Sequence, residues 1–291
     1  MIQYFSKLRF VSAIISILIG TFATLTFLPV YDVLDECGMI NYYNFLEMPL
    51  GSLGMSYFRF VLTIFVAIII LAIFFEKVAD KKHKKLLDIL LEDCEPNEFL
   101  KRYEPLTKKS KKLTEMQKVI LSNYAVALDA KGSTTNAIKI MEPLVKEPVN
   151  KKAYLNQVLF YCNLCSYYCN EDIHDIDNAK IALEKAKDFF LQAENYLKYN
   201  DGRFHIEHAQ QKIMFLEGDT DAPLKFFLNS LDTAKRKQEK VSTHYLIAKI
   251  YEKRQDEKQK IEHLKFVAER GNKMYIATKA REELSKIENN Q

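Results

Sequence analysis

The sequence predicts an all-α protein in which an N-terminal transmembrane helical hairpin precedes an α-solenoid. Three observations favour this fold class. Glycine (8) and proline (7) are scarce among the 291 residues and tryptophan is absent, a composition typical of helices rather than sheets. Two long apolar runs lie in the first 75 residues. From Glu76 onward, apolar residues recur with the period of a helix and short polar turns interrupt them.

The first apolar run extends from Phe10 to Tyr31, contains no charged residue and follows Lys7 and Arg9. At roughly 20 residues it is long enough to span a bilayer as a helix. A signal peptide also has a basic start and an apolar stretch, but this run is too long for one and no convincing small-residue cleavage site is present. The run is therefore expected to be a transmembrane helix.

Small side chains recur every four residues along this run, at Ser12, Ser16, Gly20 and Thr24. That spacing places them on one stripe of a helix, where small residues let a second helix approach closely in lipid. The second helix would be the other span or the same span of another copy, which would make a homo-oligomer. The alternative, that Ser and Thr are simply tolerated in a membrane helix, stays open.

The second apolar run extends from Phe60 to Phe75. Its residues rise only about 24 Å as a helix, so flanking apolar residues would complete the span, and Arg59 would reach the headgroups with its long side chain. Five lysines follow the run: Lys77, Lys81, Lys82, Lys84 and Lys85. Because basic residues mark the cytoplasmic ends of membrane helices, both termini are expected in the cytoplasm of a multi-pass cell-membrane protein. The same lysines would contact anionic lipid headgroups of the bilayer.

The two spans divide the chain into three parts. Residues 1–76 are expected to form the membrane anchor, with a short external loop at 31–57, followed by a basic helical connector at 77–113 and a helical repeat domain at 114–291. The external loop is too small to be an independent ligand-binding domain. Five cysteines, an odd number with only Cys37 in the loop, are typical of free thiols in a reducing compartment.

The clearest helical pair begins at Thr114, which with Gln117 has the spacing of a capping box. Its first helix closes at Gly132, and its second is expected from Thr135 to about residue 146, where Pro143 predicts a kink or an early end. The motif positions of this pair are Tyr124, Leu128, Gly132, Ala137 and Met141. The unit of about 35 residues resembles a tetratricopeptide repeat.

Similar helical pairs recur at less regular spacing toward the C-terminus. The predicted pairs are 153–169 with 178–199, 204–216 with 222–234, and 241–251 with 260–269, followed by a last helix at 274–287. The alanines that follow the turns, Ala137, Ala179 and Ala222, are 42 and 43 residues apart, whereas the family repeats about every 34 residues. The pattern therefore predicts a solenoid of helical hairpins.

Three cysteines, Cys162, Cys165 and Cys169, lie close in sequence to His174, and thiolate and imidazole are ligands that zinc prefers. Their spacing of three and four residues instead fits one packed face of a helix, and no second pair of cysteines completes four ligands. His205 and His208 lack the spacing of a zinc-protease helix. No metal site is therefore expected.

The sequence carries no motif of an enzyme or a nucleic-acid binder. The net charge of +4 is mild, and aromatic or glycine-rich nucleic-acid motifs are missing. Phosphate-binding glycine loops, nucleophile elbows and kinase motifs are missing too, so no catalytic residue and no cofactor is expected. We expect a membrane-anchored, non-catalytic scaffold that binds a cytoplasmic protein or peptide. The alternative is a signalling or regulatory protein in which the spans or the outer loop act on the cytoplasmic domain.

Overall fold

The computed structural model of the chain describes residues 50–108, 113–146, 153–194 and 201–289. The chain divides into two compact units, Met1–Lys84 and Lys85–Gln291. In the described residues every regular element is a helix. The all-α class predicted from composition and periodicity is therefore confirmed for this part of the chain.

Helix α1 extends from Leu50 to Leu91 and contains the second apolar run. Several of its apolar side chains are exposed, among them Ile70, with 60% of its surface accessible, and the five lysines from Lys77 to Lys85 are exposed as well. By length and apolarity, no helix within the described ranges qualifies as a membrane span. The first predicted span and its stripe of Ser12, Ser16 and Gly20 lie outside those ranges, so the two-span anchor stays a prediction.

Ten further α-helices are described in the unit Lys85–Gln291. They are α2 (Pro96–Tyr103), α3 (Glu115–Ala130), α4 (Thr134–Lys146), α5 (Tyr154–Tyr168), α6 (Ile176–Glu194), α7 (Asp201–Glu217), α8 (Asp221–Thr233), α9 (Lys237–Lys253), α10 (Glu257–Arg270) and α11 (Tyr275–Asn289). A short 3-10 helix, Glu104–Thr107, follows α2. The predicted pairs of helices match α5 to α10 within four residues at each described end, while the predicted end of α6 at residue 199 lies outside the described residues.

Local signals account for several helix starts and turns. The Thr114 hydroxyl accepts from the backbone N–H of Gln117, and the Gln117 side chain accepts from the backbone N–H of Thr114, so the predicted capping box is confirmed. Pro96 lies in the first turn of α2, where its missing N–H costs nothing. Gly132 has φ +89° in the turn between α3 and α4, a conformation that favours glycine. Pro143 does not end α4, which continues to Lys146.

Successive helices pack as antiparallel hairpins, α3 with α4, α5 with α6, and α9 with α10. One apolar core joins α3 to α7, and its fully buried members include Ala137 and Met141 of α4, Cys165 of α5 and Ala209 of α7. A smaller core joins α8 to α9 through Phe227 and Ile250. Each hairpin therefore buries its apolar faces against its neighbours along the chain.

A third core joins the two ends of the helical array. Phe99 of α2 and Ala127 of α3 are fully buried in the same cluster as Val241 of α9, Leu264 of α10 and Ala277 of α11. Polar contacts reinforce this junction: the backbone N–H of Lys273 donates to the carbonyl of Cys94 at 3.2 Å, and Arg236 pairs with Glu92, which directly follows α1, at 2.8 Å.

The helical hairpins of this unit consequently close on themselves. An open solenoid would leave the apolar faces of its first and last helices exposed or capped, whereas here the C-terminal helices α9 to α11 cover α2 and α3. Closure also makes the inner surface of the array concave, and the candidate site lies in this concave, partly open space.

Candidate functional site

A cavity of about 450 Å³ lies on the inner side of the closed array, and we call it the inner cavity. It is lined by the first helix of each hairpin, α3, α5, α7 and α9, and by the start of α11. Its charged and polar lining consists of Asp129, Ser166, Cys169, Asn170, Glu171, His174, Lys212, Gln238, Ser242, Tyr245, Lys249, Glu252, Lys253 and Tyr275, and its large apolar lining of Phe215, Leu216, Leu246, Met274 and Ile276. Its size is typical of a ligand-binding pocket.

Asp129, in the last turn of α3, is held in place by two neighbouring side chains. Its Oδ1 accepts from the Thr134 hydroxyl at 2.8 Å and from the amide of Asn170 at 3.4 Å. The Asn170 amide also donates to Thr134 at 3.1 Å, which links α3, α4 and the end of α5. Burial raises the pKa of Asp129 above its usual value, although both hydrogen bonds and the nearby Lys212 oppose this shift.

Lys212 of α7 also lines the inner cavity and supplies a positive charge there. It forms no ion pair with any carboxylate among the described residues. Its positive charge nevertheless acts on Asp129 and Cys169, where it opposes a rise in the pKa and so favours the charged form of each group. The ammonium group is therefore available to a ligand with a negatively charged or hydrogen-bond-accepting group.

The side of the cavity next to α11 is closed by a polar cluster around Glu171. The Glu171 carboxylate accepts from the Tyr245 hydroxyl at 2.9 Å and from Lys279 at 2.5 Å, and Lys279 also reaches Asp172 at 3.2 Å. The Lys279 ammonium lies 4.7 Å from the centre of the Tyr275 ring. These contacts tie the turn after α5 to α9 and α11, which are distant in sequence.

A second ionic cluster holds α9, α10 and α11 together beside the cavity. Lys260, whose side chain is 9% exposed, pairs with Glu283 at 2.7 Å and with Glu252 at 3.1 Å. Lys249 pairs with Glu252 at 2.9 Å and with Glu283 at 3.4 Å. Two lysines thus alternate with two glutamates, so the four charges are compensated within the cluster. Lys249 and Glu252 consequently contribute little net charge to the inner cavity.

The cysteines that were weighed as zinc ligands do not converge with histidines. Cys162 and Cys165 are buried in the packed face of α5, while Cys169 is half-buried and lines the cavity. No group of three or more potential metal-ligating side chains occurs within the described ranges. His208 is half-buried, and its ring lies against that of Phe227 at a centroid distance of 5.3 Å.

The predicted repeat positions lie in the core and in the turn rather than in the cavity. Ala137 and Met141 are fully buried, Tyr124 and Leu128 are partly buried against the apolar cores, and Gly132 forms the turn. The predicted lysines of α1 do not line the cavity. None of the described residues that were predicted as sites from the sequence therefore lies in the inner cavity.

Sequence inspection missed the polar residues of the cavity, although a signal was present. Asp129, Asn170 and Lys212 all lie near the C-terminal ends of the first helices of their hairpins. A comparison of equivalent positions at the ends of these helices would have identified a row of polar side chains. Their convergence could not be seen, because it depends on the closure of the array.

Comparisons with known proteins give similarity in fold only. No family model and no curated protein sequence matches the chain. The chain is similar to the nearly identical TPR-like repeats of a Podosopora anserina protein described as a kinesin light chain, with 14% identity and a TM-score of 0.40 over 65% of this chain and 92% of that one. It is also similar to a Pyrococcus horikoshii signal transduction ATPase with numerous domains that carries a tetratricopeptide repeat sensor, with 16% identity and a TM-score of 0.45 over 78% of this chain and 34% of that one. At these values nothing about the partners of this chain follows.

Proposed function

We propose that the protein is a non-catalytic scaffold whose TPR-like helical hairpins bind a short segment of a cytoplasmic protein or peptide in the inner cavity. The observation that carries the proposal is the lining of that cavity. It combines the ammonium group of Lys212, which has no ion-pair partner among the described residues, with the carboxyl group of Asp129 and the apolar side chains Phe215, Leu246 and Ile276. A peptide segment presents the same mixture of charge, hydrogen-bonding groups and apolar side chains.

The rigidity of the lining supports binding without a large conformational change. Asp129 is fixed by Thr134 and Asn170, and Glu171 is fixed by Tyr245 and Lys279. Groups that are already oriented lose less conformational freedom when a partner binds. The limited size of the cavity favours a short segment, such as a chain terminus or a loop tip, over a long extended peptide.

Membrane anchoring forms the second part of the proposal. It is supported by the exposed apolar side chains between Val66 and Phe74 of α1 and by the exposed lysines from Lys77 to Lys85 that follow them. Apolar residues next to a basic cluster favour contact with a bilayer that contains anionic lipids. Anchoring of this kind would hold the bound partner at the cytoplasmic face of the membrane.

Photo-crosslinking in membranes tests the proposed binding site. A photoreactive phenylalanine analogue replaces Leu246, which lines the cavity, and in a matched variant it replaces Leu228, which is exposed on α8. We expect the Leu246 variant to crosslink one protein or peptide, and Lys212→Gln in the same chain to weaken that crosslink. Equal crosslinking from both positions, or none from Leu246, would contradict the proposal.

Exchange of the N-terminal part separates the scaffold from a signalling protein. Residues 1–76 are replaced by an unrelated membrane hairpin, and the crosslink from position 246 is measured again. A scaffold keeps the crosslink, because its N-terminal part serves only to hold the cavity at the membrane and an unrelated hairpin does the same. Loss of the crosslink after the exchange would indicate that the spans or the outer loop act on the helical unit.

A further inference from the structure

Two histidines meet where α9 packs against α10. The Nδ1 atoms of His244 and His263 are 2.8 Å apart, and the ring centroids are 4.9 Å apart. Neither residue lines the inner cavity, and the proposed function uses neither of them. Because imidazole nitrogen atoms bind protons and metal ions, the pair is a second cluster of ligating groups, separate from the cavity.

Neighbouring aromatic rings hold both imidazoles in place. The ring of Phe266 stacks on that of His244 with a centroid distance of 3.8 Å and an interplanar angle of 19°. The ring of Tyr251 stacks on that of His263 with a centroid distance of 5.7 Å and an angle of 25°. His263 has 8% of its surface accessible, whereas His244 is half-buried. A small ion from solvent would therefore reach the pair past His244.

Without a metal ion the two rings share one hydrogen bond. Imidazole has an ordinary pKa of about 6.5, so both rings are neutral near neutral pH, and each then has one N–H group and one lone pair. Across 2.8 Å one Nδ1–H can donate to the other Nδ1. If the proton of the donor ring moves from Nδ1 to Nε2, both Nδ1 atoms carry a lone pair and the net charge of the pair is unchanged.

The spacing of the two nitrogen atoms fits two ligands of a single metal ion. Imidazole nitrogen atoms bind such ions at about 2.0–2.1 Å. Two of them at right angles around one ion are then about 2.8–3.0 Å apart, whereas a tetrahedral arrangement separates them by about 3.3–3.4 Å. The observed 2.8 Å matches the right-angled arrangement, which is typical of Cu²⁺ and Ni²⁺ with nitrogen and oxygen ligands.

We infer that His244 and His263 form a binding site for a divalent transition-metal ion of the Cu²⁺ or Ni²⁺ type, with one Nδ1 ligand from α9 and one from α10. No group of three or more metal-ligating side chains occurs in the part of the chain that the structure describes, so water fills the remaining positions. Both rings turn toward the ion, and the proton of the donor ring moves to its Nε2. One hydrogen bond between the helices is thereby replaced by two metal–nitrogen bonds.

The charges next to the pair oppose each other. The charge of Lys240, one turn before His244 on α9, disfavours a bound cation, and that of Glu262, next to His263 on α10, favours one. Both side chains are exposed, so solvent and salt screen their effect. The two imidazoles should therefore determine most of the affinity.

Calorimetric titration of the full chain with Ni²⁺ tests the site. The parent, His244→Gln and His263→Gln are compared with His205→Gln, which removes one imidazole from the neighbouring histidines His205 and His208 of α7. The dissociation constant of the tightest Ni²⁺ site should rise at least about tenfold in the first two variants and stay unchanged in His205→Gln. Zn²⁺, which prefers tetrahedral sites, should bind the parent less tightly than Ni²⁺. Unchanged Ni²⁺ affinity in both pair variants, an equal loss in His205→Gln, or tighter binding of Zn²⁺ would overturn the inference.

Chemical protection of the parent chain tests the site without any substitution, so a variant that fails to fold does not decide the result. Diethylpyrocarbonate modifies the lone pair of a neutral imidazole, and site-resolved mass spectrometry measures the rate at each histidine. Ni²⁺ on both Nδ1 atoms leaves only N–H groups at Nε2, so it should slow the modification of His244 and His263 several-fold. The exposed His174 and His205 should react at unchanged rates.

Equal protection of all four histidines, or no protection of His244 and His263, would overturn the inference. The metal site does not depend on the proposed function, because the pair lies outside the lining of the inner cavity. Failure of the photo-crosslink together with normal Ni²⁺ binding would therefore reject the proposed function alone.

Discussion

The substitution Gly132→Ala probes the closure of the helical array at a single point. Gly132 lies in the turn between α3 and α4 with φ +89°, and Gly218 lies in the turn between α7 and α8 with φ +113°. A Cβ atom at Gly132 would lie 2.6 Å from Cγ of Tyr275, whereas a Cβ at Gly218 would have no neighbour within 4 Å. The two glycines therefore share the backbone strain and differ in the contact with α11.

The expected losses of stability follow from these two terms. Gly218→Ala should lower the free energy of unfolding by about 1–2 kcal/mol, the cost of a left-handed conformation for a residue with a Cβ atom. Gly132→Ala should cost about 1–3 kcal/mol more, because the ring of Tyr275 or the start of α11 must move. Urea unfolding of the full chain, followed by circular dichroism, measures both values.

A double-mutant cycle isolates the contact between the α3–α4 turn and α11. Tyr275→Ala removes the ring, so in the double variant only the strain at position 132 and the lost ring packing remain. The summed losses of the single variants should exceed the loss of the double variant by about 1–3 kcal/mol. Equal losses for Gly132→Ala and Gly218→Ala, or strict additivity with Tyr275→Ala, would refute the contact across the closed array.

Three further predictions concern the described core and its charges. Burial together with the charge of His263 lowers the pKa of His244 to about 4, and the Nδ1 atoms of the two histidines are 2.8 Å apart. His244→Gln should therefore reduce the loss of stability between pH 6.5 and 4 by about 1–2 kcal/mol after solvent screening. The folded state then binds fewer protons than the unfolded state, so the stability of the parent falls as the pH falls. Urea unfolding at several pH values measures this fall, and the exposed-site control His174→Asn should show the same fall as the parent. An unaltered profile in His244→Gln would contradict the assignment. Lys260→Met should lower the free energy of unfolding by about 2 kcal/mol, because it leaves Glu252 and Glu283 with one cation. The control Lys185→Met breaks an exposed pair with Asp188 at 3.8 Å and should lower it by less than about 0.5 kcal/mol in the same assay. Similar losses for the two variants would show that the cluster is solvated. Met141→Ala should lower the free energy of unfolding by about 2–5 kcal/mol, since Met141 is fully buried. Met116→Ala, at a residue that is 48% exposed, should lower it by less than about 0.5 kcal/mol. A small loss of stability in Met141→Ala would place Met141 outside the core.

Local features of the fold were predictable from the sequence because they depend on neighbouring residues. The capping box of Thr114 and Gln117 and the start of α2 at Pro96 are examples in which the signal and the structure lie within one turn. The extents of α5 to α10 followed from apolar periodicity for the same reason. At Pro143 the predicted early end does not occur, since α4 continues for three residues beyond the proline to Lys146, and the alternative, a kink, stays a prediction.

The closed arrangement and the cavity were not predictable in the same way. Phe99 and Val241 are both apolar and periodic, but periodicity does not say that they share one buried cluster. Likewise, the contact of Tyr275 with Gly132 joins residues far apart in sequence. Asp129 and Lys212 look like ordinary helical surface residues until closure places both in the inner cavity. Long-range packing therefore determined what the local pattern left open.

Zero-length crosslinking of the native chain tests most directly whether the helical hairpins close around the inner cavity. A carbodiimide joins a lysine to a carboxylate only when the two are in contact, and Lys279 lies 2.5 Å from Glu171 and 3.2 Å from Asp172. Lys180 and Glu217, 2.6 Å apart, provide a reference pair between α6 and the end of α7. Closure predicts an amide from Lys279 to residue 171 or 172 alongside the reference crosslink. The reference crosslink without any product between Lys279 and these two carboxylates would contradict it.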